Sequence, residues 1–495
     1  IVCADTKAHA DAAAAEVVVE VEELPAYMNA REAIAADAIE IHPGTPNKFF
    51  EQQVAKGEDS KPLLAQSYLV LEREYYSQRQ PHLVLEPDVG YGYYDQDGRV
   101  TIHSKSVGVY CHADMIAEGL GLETNQLRII QNNAGGTFGY KLSPTLEAIL
   151  AVAVMNTGRP CYLEFTMHQQ LTYTGKRSPF FTKIKMGCDD RGKLTAMESE
   201  VLADHGAYSE FADLLLIKNV EFTAAGYQLP SIRGQYAISF TNHAYGAAMR
   251  AYGSPQAFFV GESIVDELAR SYGMDPFDFR YQNLYNEEST TPTGCKPDVL
   301  VLQGLLDQLR PAYQEARKTI AAFPAGKIKR GVGVAIGIYS SGDDGYDHSE
   351  AAVELQPDGK IALYSTWEDH GQGGDMGALT SVHEAFYQLG MPKSIDDFIF
   401  VTNDTARCPN SGYAAGSRSQ LMVGNAIWDA AENLVKAMKK EDGSFRSYAE
   451  MIAEDIPVYQ LGVFDTSTFD ICATDEQNAQ GNPFLAYMYA AFVTE

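Results

Sequence analysis

The spacing of apolar residues predicts a long amphipathic helix near the middle of the chain. Val260, Ile264 and Leu268 recur at intervals of four, so they lie on one helix face that packs inward. The pair Ser254-Pro255 supplies an N-cap and a first helical residue, and Gly273 ends the helix. The pattern therefore predicts a buried helix over about 255–272.

The arginine before this helix is the first candidate for chemistry. A guanidinium at Arg250, just outside a buried helix, is well placed to hold an anionic group. A structural ion pair is the commoner role of a single arginine. Taken by themselves, the residues leave both roles open.

Two stretches of the chain repeat one order of elements: a turn and strand, a helix, a second strand, a glycine loop and another helix. The first stretch comprises Asp97-Gly98, strands over 100–104 and 127–130, Gly135-Gly136, and a helix opened by Ser143 and Pro144. The second comprises Asp358-Gly359, strands over 361–365 and 398–401, and Ala415-Gly416-Ser417 before its last helix. Duplication of one mixed α/β unit explains the repeat, although convergence on a common α+β pattern would give the same order.

The length of 495 residues is too great for one hydrophobic core, and three parts are expected. Residues 1–60 are predicted to be the end of a small α+β domain, with a helix over 8–15 and a strand over 17–21. Residues 61–297 form a first large unit that ends in a Pro- and Gly-containing linker over 290–297. Residues 298–495 form a second, opened by a helix over 302–322 and incomplete at its C-terminus. Both ends look strand-like, so we expect a piece of a longer polypeptide, with processing as the competing explanation.

The composition argues against several classes of partner and site. A net charge of −28 argues against nucleic acid or an anionic membrane as a partner. The seven cysteines include no CxxC pair, so no disulfide scaffold, zinc site or iron–sulfur site is expected within this chain, and a reducing cytoplasm is the default location. No apolar run approaches the roughly 20 residues that span a bilayer.

Three glycine-bearing loops are candidate binding sites. In the first, over 135–141, Phe138 stands between flexible positions and can press its ring against a ligand. The second, over 370–375, offers donors and acceptors from His370 and Gln372. The third, over 411–420, places small residues, hydroxyls and Arg418 at a helix N-terminus, which favours a pyrophosphate. None has a Rossmann or Walker sequence, and a simple chain turn is the alternative for the first two.

The run from Arg250 to Asn283 resembles a known family. It contains Ala251-Tyr252-Gly253-Ser254-Pro255-Gln256, Glu262, Asp266-Glu267-Leu268-Ala269 and Gly273-Met274-Asp275-Pro276-Phe277-Asp278-Phe279-Arg280-Tyr281-Gln282-Asn283. This succession is similar to the molybdenum-binding part of the xanthine oxidase family of molybdenum hydroxylases. Within the family it looks most like bacterial aldehyde oxidoreductases that carry molybdopterin cytosine dinucleotide. The resemblance extends over nearly the whole chain.

The resemblance implies an α+β, multidomain fold in which two related mixed α/β units contribute loops to one cofactor site. By that likeness, residues 61–297 and 298–495 are the first and second molybdenum-cofactor-binding domains. The metal is held by the dithiolene sulfurs of the pterin, so no protein ligand to the metal is expected. The cofactor-binding positions it implies are Gly136, Phe138, Gly139, Arg250, His370, Gly371, Gln372, Gly373, Ser411, Ala415, Gly416, Ser417, Arg418 and Gln420.

The same resemblance implies oxidative hydroxylation of aldehydes to carboxylic acids. Leu142, Phe211, Leu214 and Tyr252 would line an apolar substrate channel, and ordinary core packing is the alternative for Phe211 and Leu214. The family's glutamate base belongs to a Gly-Val-Gly-Glu segment that this chain lacks, so no catalytic residue is assigned within it. Iron–sulfur clusters are expected on further sequence or on a partner subunit, and the full protein is expected to be a homodimer.

Related activities remain as alternatives. Carbon monoxide dehydrogenases of the family are excluded, because they carry a cysteine directly after the active-site arginine, where this chain has Ala251. Hydroxylases of purine or nicotinate type stay possible, because the polarity of the channel does not follow from sequence. A non-catalytic scaffold, or a fragment that binds only the cofactor, is the rival from another class.

Overall fold

The computed structural model describes residues 1–324, 326–471 and 479–495, and it contains both helices and strands, as the α+β prediction required. The helices are α1 Lys7–Ala15, α2 Ala30–Ala33, α3 Ser60–Gln66, α4 Val109–Leu120, α5 Glu147–Thr157, α6 Met167–Tyr173, α7 Ala212–Phe222, α8 Ser254–Tyr272, α9 Pro276–Asn283, α10 Leu302–Ala321, α11 Gly374–Gln388, α12 Ser419–Met438 and α13 Tyr448–Ala453. No helix among these residues is long and apolar enough to cross a membrane.

The strands form four sheets within the described residues. They are β1 Lys48–Lys56, β2 Leu69–Ser77, β3 Val89–Tyr94, β4 Val100–Ser104, β5 Leu127–Gln131, β6 Cys161–Glu164, β7 Phe180–Cys188, β8 Leu194–Asp204, β9 Ser231–Ser239, β10 Gly333–Ser341, β11 His348–Leu355, β12 Ile361–Ser365, β13 Phe398–Thr402, β14 Tyr459–Asp465 and β15 Ala486–Thr494. β10 and β15 pair with each other as a two-stranded antiparallel sheet.

A five-stranded sheet in the order β1-β9-β8-β7-β2 carries the largest hydrophobic core. Its pairs are antiparallel except for the parallel pair β8/β9. The apolar face of α8 packs on this sheet, and Val260, Ile264 and Leu268 are all buried there, which confirms the predicted helix face. The same core continues into α10 and β10 through Leu306 and Ile336.

Two four-stranded sheets share one order of strands. The first is β5-β4-β3-β6, and the second is β13-β12-β11-β14. In each, an antiparallel hairpin is followed by a helix and by a strand that pairs in parallel with the second hairpin strand. The repeat predicted from the turn and strand pattern is therefore present in the strand order and pairing. We call these sheets and their helices the first and second units.

The two units meet edge to edge. Residues directly after β13 bond to β5, the edge strand of the first unit: the N–H of Gln131 donates to the carbonyl of Asn403 at 2.9 Å. Beside it, the Arg128 guanidinium forks onto the Asp404 carboxylate with Nε–Oδ1 and Nη2–Oδ2 distances of 2.9 and 2.6 Å. The joint brings together the ends of β4, β5, β12 and β13 from which the candidate loops leave.

Three local expectations were wrong. Residues 17–21 form no strand, and within the described residues no strand pairs with them, so Val18 is 85% exposed. Helix α8 begins one residue early, with Gly253 at φ +80° as N-cap and Ser254 already helical. Helix α5 begins at Glu147 rather than after Ser143, because the Ser143 hydroxyl donates to the Glu210 carboxylate instead of capping the helix.

Candidate functional site

The candidate loops lie at corresponding ends of the two units. The loop over 135–141 follows β5, and the loop over 411–418 follows β13. The loop over 366–373 follows β12 and leads into α11. Its counterpart in the first unit is the short segment 105–108 between β4 and α4, which no glycine-rich pattern marked. Parallel strands end at the same edge of a sheet, so these connections gather at the joint between the units.

Arg250 leads into α8 and lies against the first loop. Its backbone N–H donates to the carbonyl of Phe138 at 2.7 Å, and its own carbonyl accepts from Nη2 of Arg177 at 2.9 Å. The side chain is exposed and has no ion pair or side-chain hydrogen bond with any described residue. The backbone is thus fixed while the guanidinium stays free, which excludes the alternative of a structural ion pair within the described chain.

Several residues beside the loops hold an unusual backbone conformation. Phe138, Phe211, Ala251 and Ser417 all have φ between +51° and +61°, in the left-handed region. Such conformations cost of order 1–3 kcal/mol for a residue with a side chain, and they cluster at functional sites. Three of the four are positions that the sequence assigned to cofactor or substrate, and the fourth, Ala251, directly follows Arg250.

Gly139 shows why the first loop needs its glycine. It has φ +118°, and a Cβ at this position would stand 2.5 Å from the carbonyl oxygen of Ala248. Only glycine permits both the backbone angle and this approach. At the nearby Gly136 an added Cβ would stand 3.3 Å from the Phe138 ring, a tight contact with a side chain rather than with backbone.

The second loop is held by its own acidic residue. Asp369 accepts the backbone N–H groups of Gly371 and Asp375 at 2.8 and 3.0 Å, and that of Gly373 at 3.4 Å. Gln372 accepts from the backbone N–H of His370 and donates to the carbonyl of Glu368. These bonds hold the loop in shape, while Gly371, Gln372 and Gly373 remain exposed, so their contact with a ligand stays a prediction. Burial lowers the pKa of the His370 ring, although Asp369 acts in the opposite direction.

The third loop corrects the role expected of Arg418. This side chain is 1% exposed, and its Nε and Nη2 bind the Asp347 carboxylate at 3.0 and 2.6 Å. Its Nη1 donates to the carbonyl of Ser411 at 2.8 Å, and Nη2 also donates to that of His348 at 2.7 Å. All three nitrogens are occupied, so the guanidinium shapes the loop and does not face an anion.

Ser411 is also a structural residue. It is buried, its hydroxyl donates to the carbonyl of Glu350, and the same oxygen accepts the N–H of Thr366 at 2.9 Å. The part of the third loop that remains accessible to a ligand is the stretch directly before α12. Ala415 and Gly416 are half-buried, while Ser417 and Gln420 are exposed. The amides at the start of a helix attract an anion without any side chain.

The positions expected to line a substrate channel are only partly assembled. The Tyr252 hydroxyl donates to the carbonyls of Glu210 and Phe211 at 3.1 and 3.2 Å, which ties α8 to the Phe211 turn. The Phe211 ring lies 6.3 Å from that of Tyr413 in the third loop. Leu142 is buried beside Gly108. Leu214 packs with Phe211 against the core of the five-stranded sheet, so the structure does not separate it from ordinary core.

Sequence reasoning missed the segment that links all three loops. The N–H of Val107 donates to the carbonyl of Lys141, and its carbonyl accepts the N–H of Ala414 at 3.2 Å. The N–H of Val109 donates to Oε1 of Glu368 at 3.3 Å. The signal was available in the repeat, because this segment stands where the second loop stands in the other unit.

The place where the loops meet contains several buried acidic side chains. Burial raises the pKa of Glu368 to about 8 and that of Glu210 to about 7, although Ser143 donates to the latter. Burial also raises the pKa of Asp343, and it raises that of the Cys111 thiol to about 12, with these three carboxyls adding to the effect on Cys111. One oxygen of Glu368 and one of Glu210 have no hydrogen-bond partner.

A large cavity lies beside the loops rather than between them. It encloses about 950 Å³ between α8 and the two-stranded sheet, and its lining is mostly apolar. Ala251 and Ser254 form its boundary with the Arg250 segment. The substrate channel expected along Phe211 and Leu142 is therefore not this cavity.

Comparison with known proteins agrees with this arrangement. Residues 41–284 and residues 308–495 each match the molybdopterin cofactor-binding domain family. The aldehyde oxidoreductase of Megalodesulfovibrio gigas is 49% identical over 496 residues, covering 100% of this chain and 54% of that protein. The solved aldehyde oxidoreductase of Desulfovibrio desulfuricans ATCC 27774 is 50% identical with a TM-score of 0.96, covering 99% of this chain and 54% of that one. The nicotinate dehydrogenase large molybdopterin subunit of Eubacterium barkeri is 28% identical over 316 residues, 64% of this chain and 73% of that subunit.

The chain spans about half the length of the aldehyde oxidoreductases that it matches. The two family matches together cover most of the chain, and each contains one of the four-stranded units. The chain therefore belongs to the xanthine oxidase family of molybdenum enzymes and contains its molybdopterin cofactor-binding domains.

Proposed function

We propose that this chain supplies the cofactor- and substrate-binding part of an enzyme that oxidises aldehydes to carboxylic acids. The observation that carries the proposal is Arg250, whose backbone is fixed against the first loop while its guanidinium has no partner among the described residues. Identity of 49% with an aldehyde oxidoreductase along the whole chain supports the choice of reaction.

The residues present fit a molybdopterin dinucleotide. Arg250 offers an exposed cation, Phe138 an aromatic face, and the start of α12 a set of amides for a phosphate. We assign cofactor contacts to Gly136, Phe138, Gly139, Arg250, His370, Ala415, Gly416, Ser417 and Gln420. Gly371, Gln372, Gly373, Ser411 and Arg418 hold the loops in shape. When bound, the cofactor supplies the two-electron redox chemistry, and its form is proposed to be the cytosine dinucleotide.

The remaining work of this chain is to bind and orient the substrate. Leu142, Phe211 and Tyr252 surround the junction with apolar surface, which favours an aldehyde over a strongly polar heterocycle. The Tyr252 hydroxyl is used within the protein, so it fixes the position of the Phe211 wall and does not bind the substrate. We place the general base on sequence outside this chain.

The partners follow from the same assignment. Electrons need a path away from the cofactor, and we propose iron–sulfur clusters on the rest of the polypeptide or on a partner subunit. The full protein is proposed to be a cytoplasmic homodimer.

A second candidate is the hydroxylation of an aromatic heterocycle such as nicotinate. The 28% identity with a nicotinate dehydrogenase subunit favours it, and Glu210, buried directly before Phe211, would be available for a ring nitrogen. The non-catalytic alternative is a scaffold that binds no cofactor.

The experiment is to purify the natural polypeptide that contains this chain from cells supplied with molybdate. Molybdenum per polypeptide is measured by elemental analysis, and turnover of benzaldehyde, nicotinate and xanthine is measured with an artificial electron acceptor. We expect molybdenum close to one per polypeptide and benzaldehyde as the best substrate. Faster turnover of nicotinate or xanthine would replace the aldehyde assignment, and folded protein without molybdenum would leave only the scaffold.

A further inference from the structure

Glu368 is a buried acid that joins the two units. It has 0% of its surface exposed and stands between Trp367 and Asp369, directly before the second loop. Its Oε1 accepts the N–H of Val109, the first residue of α4 in the first unit. Its Oε2 is equally buried and has no partner.

Helix α4 depends on this contact because it cannot supply its own cap. Its N-cap residue is Gly108, which has no side chain to accept the amides at the start of the helix. A Cβ at Gly108 would stand 3.1 Å from Cβ of Tyr413 and 3.2 Å from Cδ1 of Leu142, so the close packing of the loops leaves no room there for a side-chain cap. The second unit therefore caps a helix of the first.

The surroundings of Glu368 disfavour a negative charge. The charged side chain that acts on Glu368 is Arg418, from before α12. Cys111 of α4 lies near Glu368 and is also influenced by Glu210, Asp114 and Asp343. Asp369 and His370 follow Glu368 in its own loop. Arg418 is the only permanent cation in that set, and its guanidinium is committed to Asp347. The backbone N–H groups of Val109, Ala414 and Glu368 itself favour the ionised form, but burial outweighs them, so the protonated acid is the cheaper state.

We propose that Glu368 is a positioning residue that keeps its proton at neutral pH and, as a neutral acid, holds the loops of both units in the arrangement that binds the cofactor. It acts through Val109 and the second loop and does not touch substrate. The inference rests on the proposed function, since the cofactor is what the loops are positioned for. Burial, which raises the pKa of Glu368 to about 8, places the loss of this proton just above neutrality.

The pH range of the effect differs between folding stability and cofactor retention. An unfolded glutamate has a pKa near 4.3 and has lost its proton by pH 6, whereas folded Glu368 keeps it until about pH 8. Folding stability contributed by this residue therefore falls from about pH 5 to about pH 8 and is constant above that. Cofactor retention depends on the protonation of Glu368 in the folded protein alone. Retention therefore falls above pH 8, where each further pH unit favours the ionised form of Glu368 about tenfold.

The test compares wild type, Glu368→Gln and Glu368→Ala in the purified natural protein. Glutamine keeps the size and the acceptor oxygen and never ionises, so it imitates the protonated acid. Molybdenum and cytidine nucleotide per polypeptide are measured after gel filtration at pH 7 and pH 9.5, and Tm is measured from pH 5 to 9.5. We expect Glu368→Gln to retain cofactor equally at both pH values, wild type to lose most of it at pH 9.5, and Glu368→Ala to lose it at both.

Glu147→Gln is the matched control. Glu147 is also fully buried, but Lys105 and His112 lie 3.8 and 3.5 Å from its Oε1. Burial alone would raise its pKa, yet these two groups outweigh burial and lower it to about 2. Its replacement is expected to lower Tm by a constant amount from pH 6 to 9.5. Glu368→Gln is instead expected to gain Tm relative to wild type between pH 5 and 8 and then to stay level.

The outcomes separate this inference from the proposed function. Cofactor loss at pH 9.5 that is equal in wild type and Glu368→Gln would overturn the role of Glu368 while leaving the function intact. Absence of cofactor from wild type at every pH would overturn the function. In that case the Tm profiles still decide about Glu368, because a Glu368→Gln profile parallel to that of wild type contradicts the bound proton.

Discussion

Arg250 and Arg418 have similar surroundings in the sequence. Each lies directly before a helix and beside a loop of small residues. The structure separates them completely. Arg418 is 1% exposed and gives every nitrogen to Asp347 or to loop carbonyls, whereas Arg250 is exposed and gives none to a described residue. Residue type and local spacing therefore identify a cation near a ligand site, and the availability of its donors decides whether it meets the ligand.

The same contrast holds for the two fully buried glutamates. Glu147 lies inside the first unit between Lys105 and His112, and its pKa is lowered to about 2. Glu368 lies at the seam between the units without a free cation, and its pKa is raised to about 8. Equal burial gives opposite charge states because the neighbours differ.

The largest expected effect is on stability, from removal of Arg418. Arg418→Ala leaves the buried Asp347 carboxylate without its guanidinium partner, and breaking such a pair costs about 3–5 kcal/mol. The free energy of unfolding, measured in urea, is expected to fall by that amount, and the cofactor is lost with the third loop. Arg446→Ala, which removes an ion pair of partly exposed groups, is the control and is expected to cost less than about 1 kcal/mol. Equal losses from both variants would contradict the contrast.

The next largest effect is the loss, at acid pH, of the stability that Glu147 contributes. Because the pKa of Glu147 is lowered to about 2 in the folded protein, its contribution to stability is complete above the unfolded value near 4.3 and is lost as the pH falls towards 2. Glu147→Gln is expected to lower the free energy of unfolding by about 3 kcal/mol at pH 7. The difference from wild type should shrink steadily below pH 4.5. A constant difference down to pH 2.5 would show that packing and not charge makes Glu147 important.

The smallest effect on the fold is expected at Arg250. Arg250→Ala removes a side chain with no partner among the described residues, so Tm of the cofactor-free protein should not change. Loss of one charge-assisted contact is worth about 2 kcal/mol, which corresponds to roughly 30-fold weaker cofactor retention. Molybdenum content after dialysis measures this. Arg270→Ala on the other end of α8 is the control, since its ion pair with Asp266 is exposed. Unchanged molybdenum content in Arg250→Ala would contradict the assignment of Arg250 as a cofactor contact.

The sequence was a good guide wherever local pattern decides the structure. The helix over 302–322 and the strands over 100–104 and 361–365 lie within a residue of their predicted bounds, because apolar period and turn residues determine them. Residues 17–21 have the composition of a strand, but a strand also needs a partner, and within the described residues they have none. Local pattern carries no information about such partners.

The site could be predicted less completely than the fold. The left-handed backbone at Phe138 and Phe211 supports positions that the resemblance had indicated. Arg418 was misjudged because its partner Asp347 lies 71 residues away in the chain. Glu368 was missed because a single acidic residue after a strand has no recognisable motif. Its role depends on Val109, 259 residues distant, and such a pairing emerges only from the folded chain.

The two units share one order of elements, and their loops face each other across the joint at β5. The groups that the two sides present there are different. One side presents an aromatic ring and a free cation, and the other presents an imidazole and the start of a long helix. A ligand with unlike ends suits such a joint, because each end meets chemistry that only one side possesses. Exchange of corresponding loops between the units would therefore preserve the architecture and still abolish recognition, because the two sides offer different chemistry.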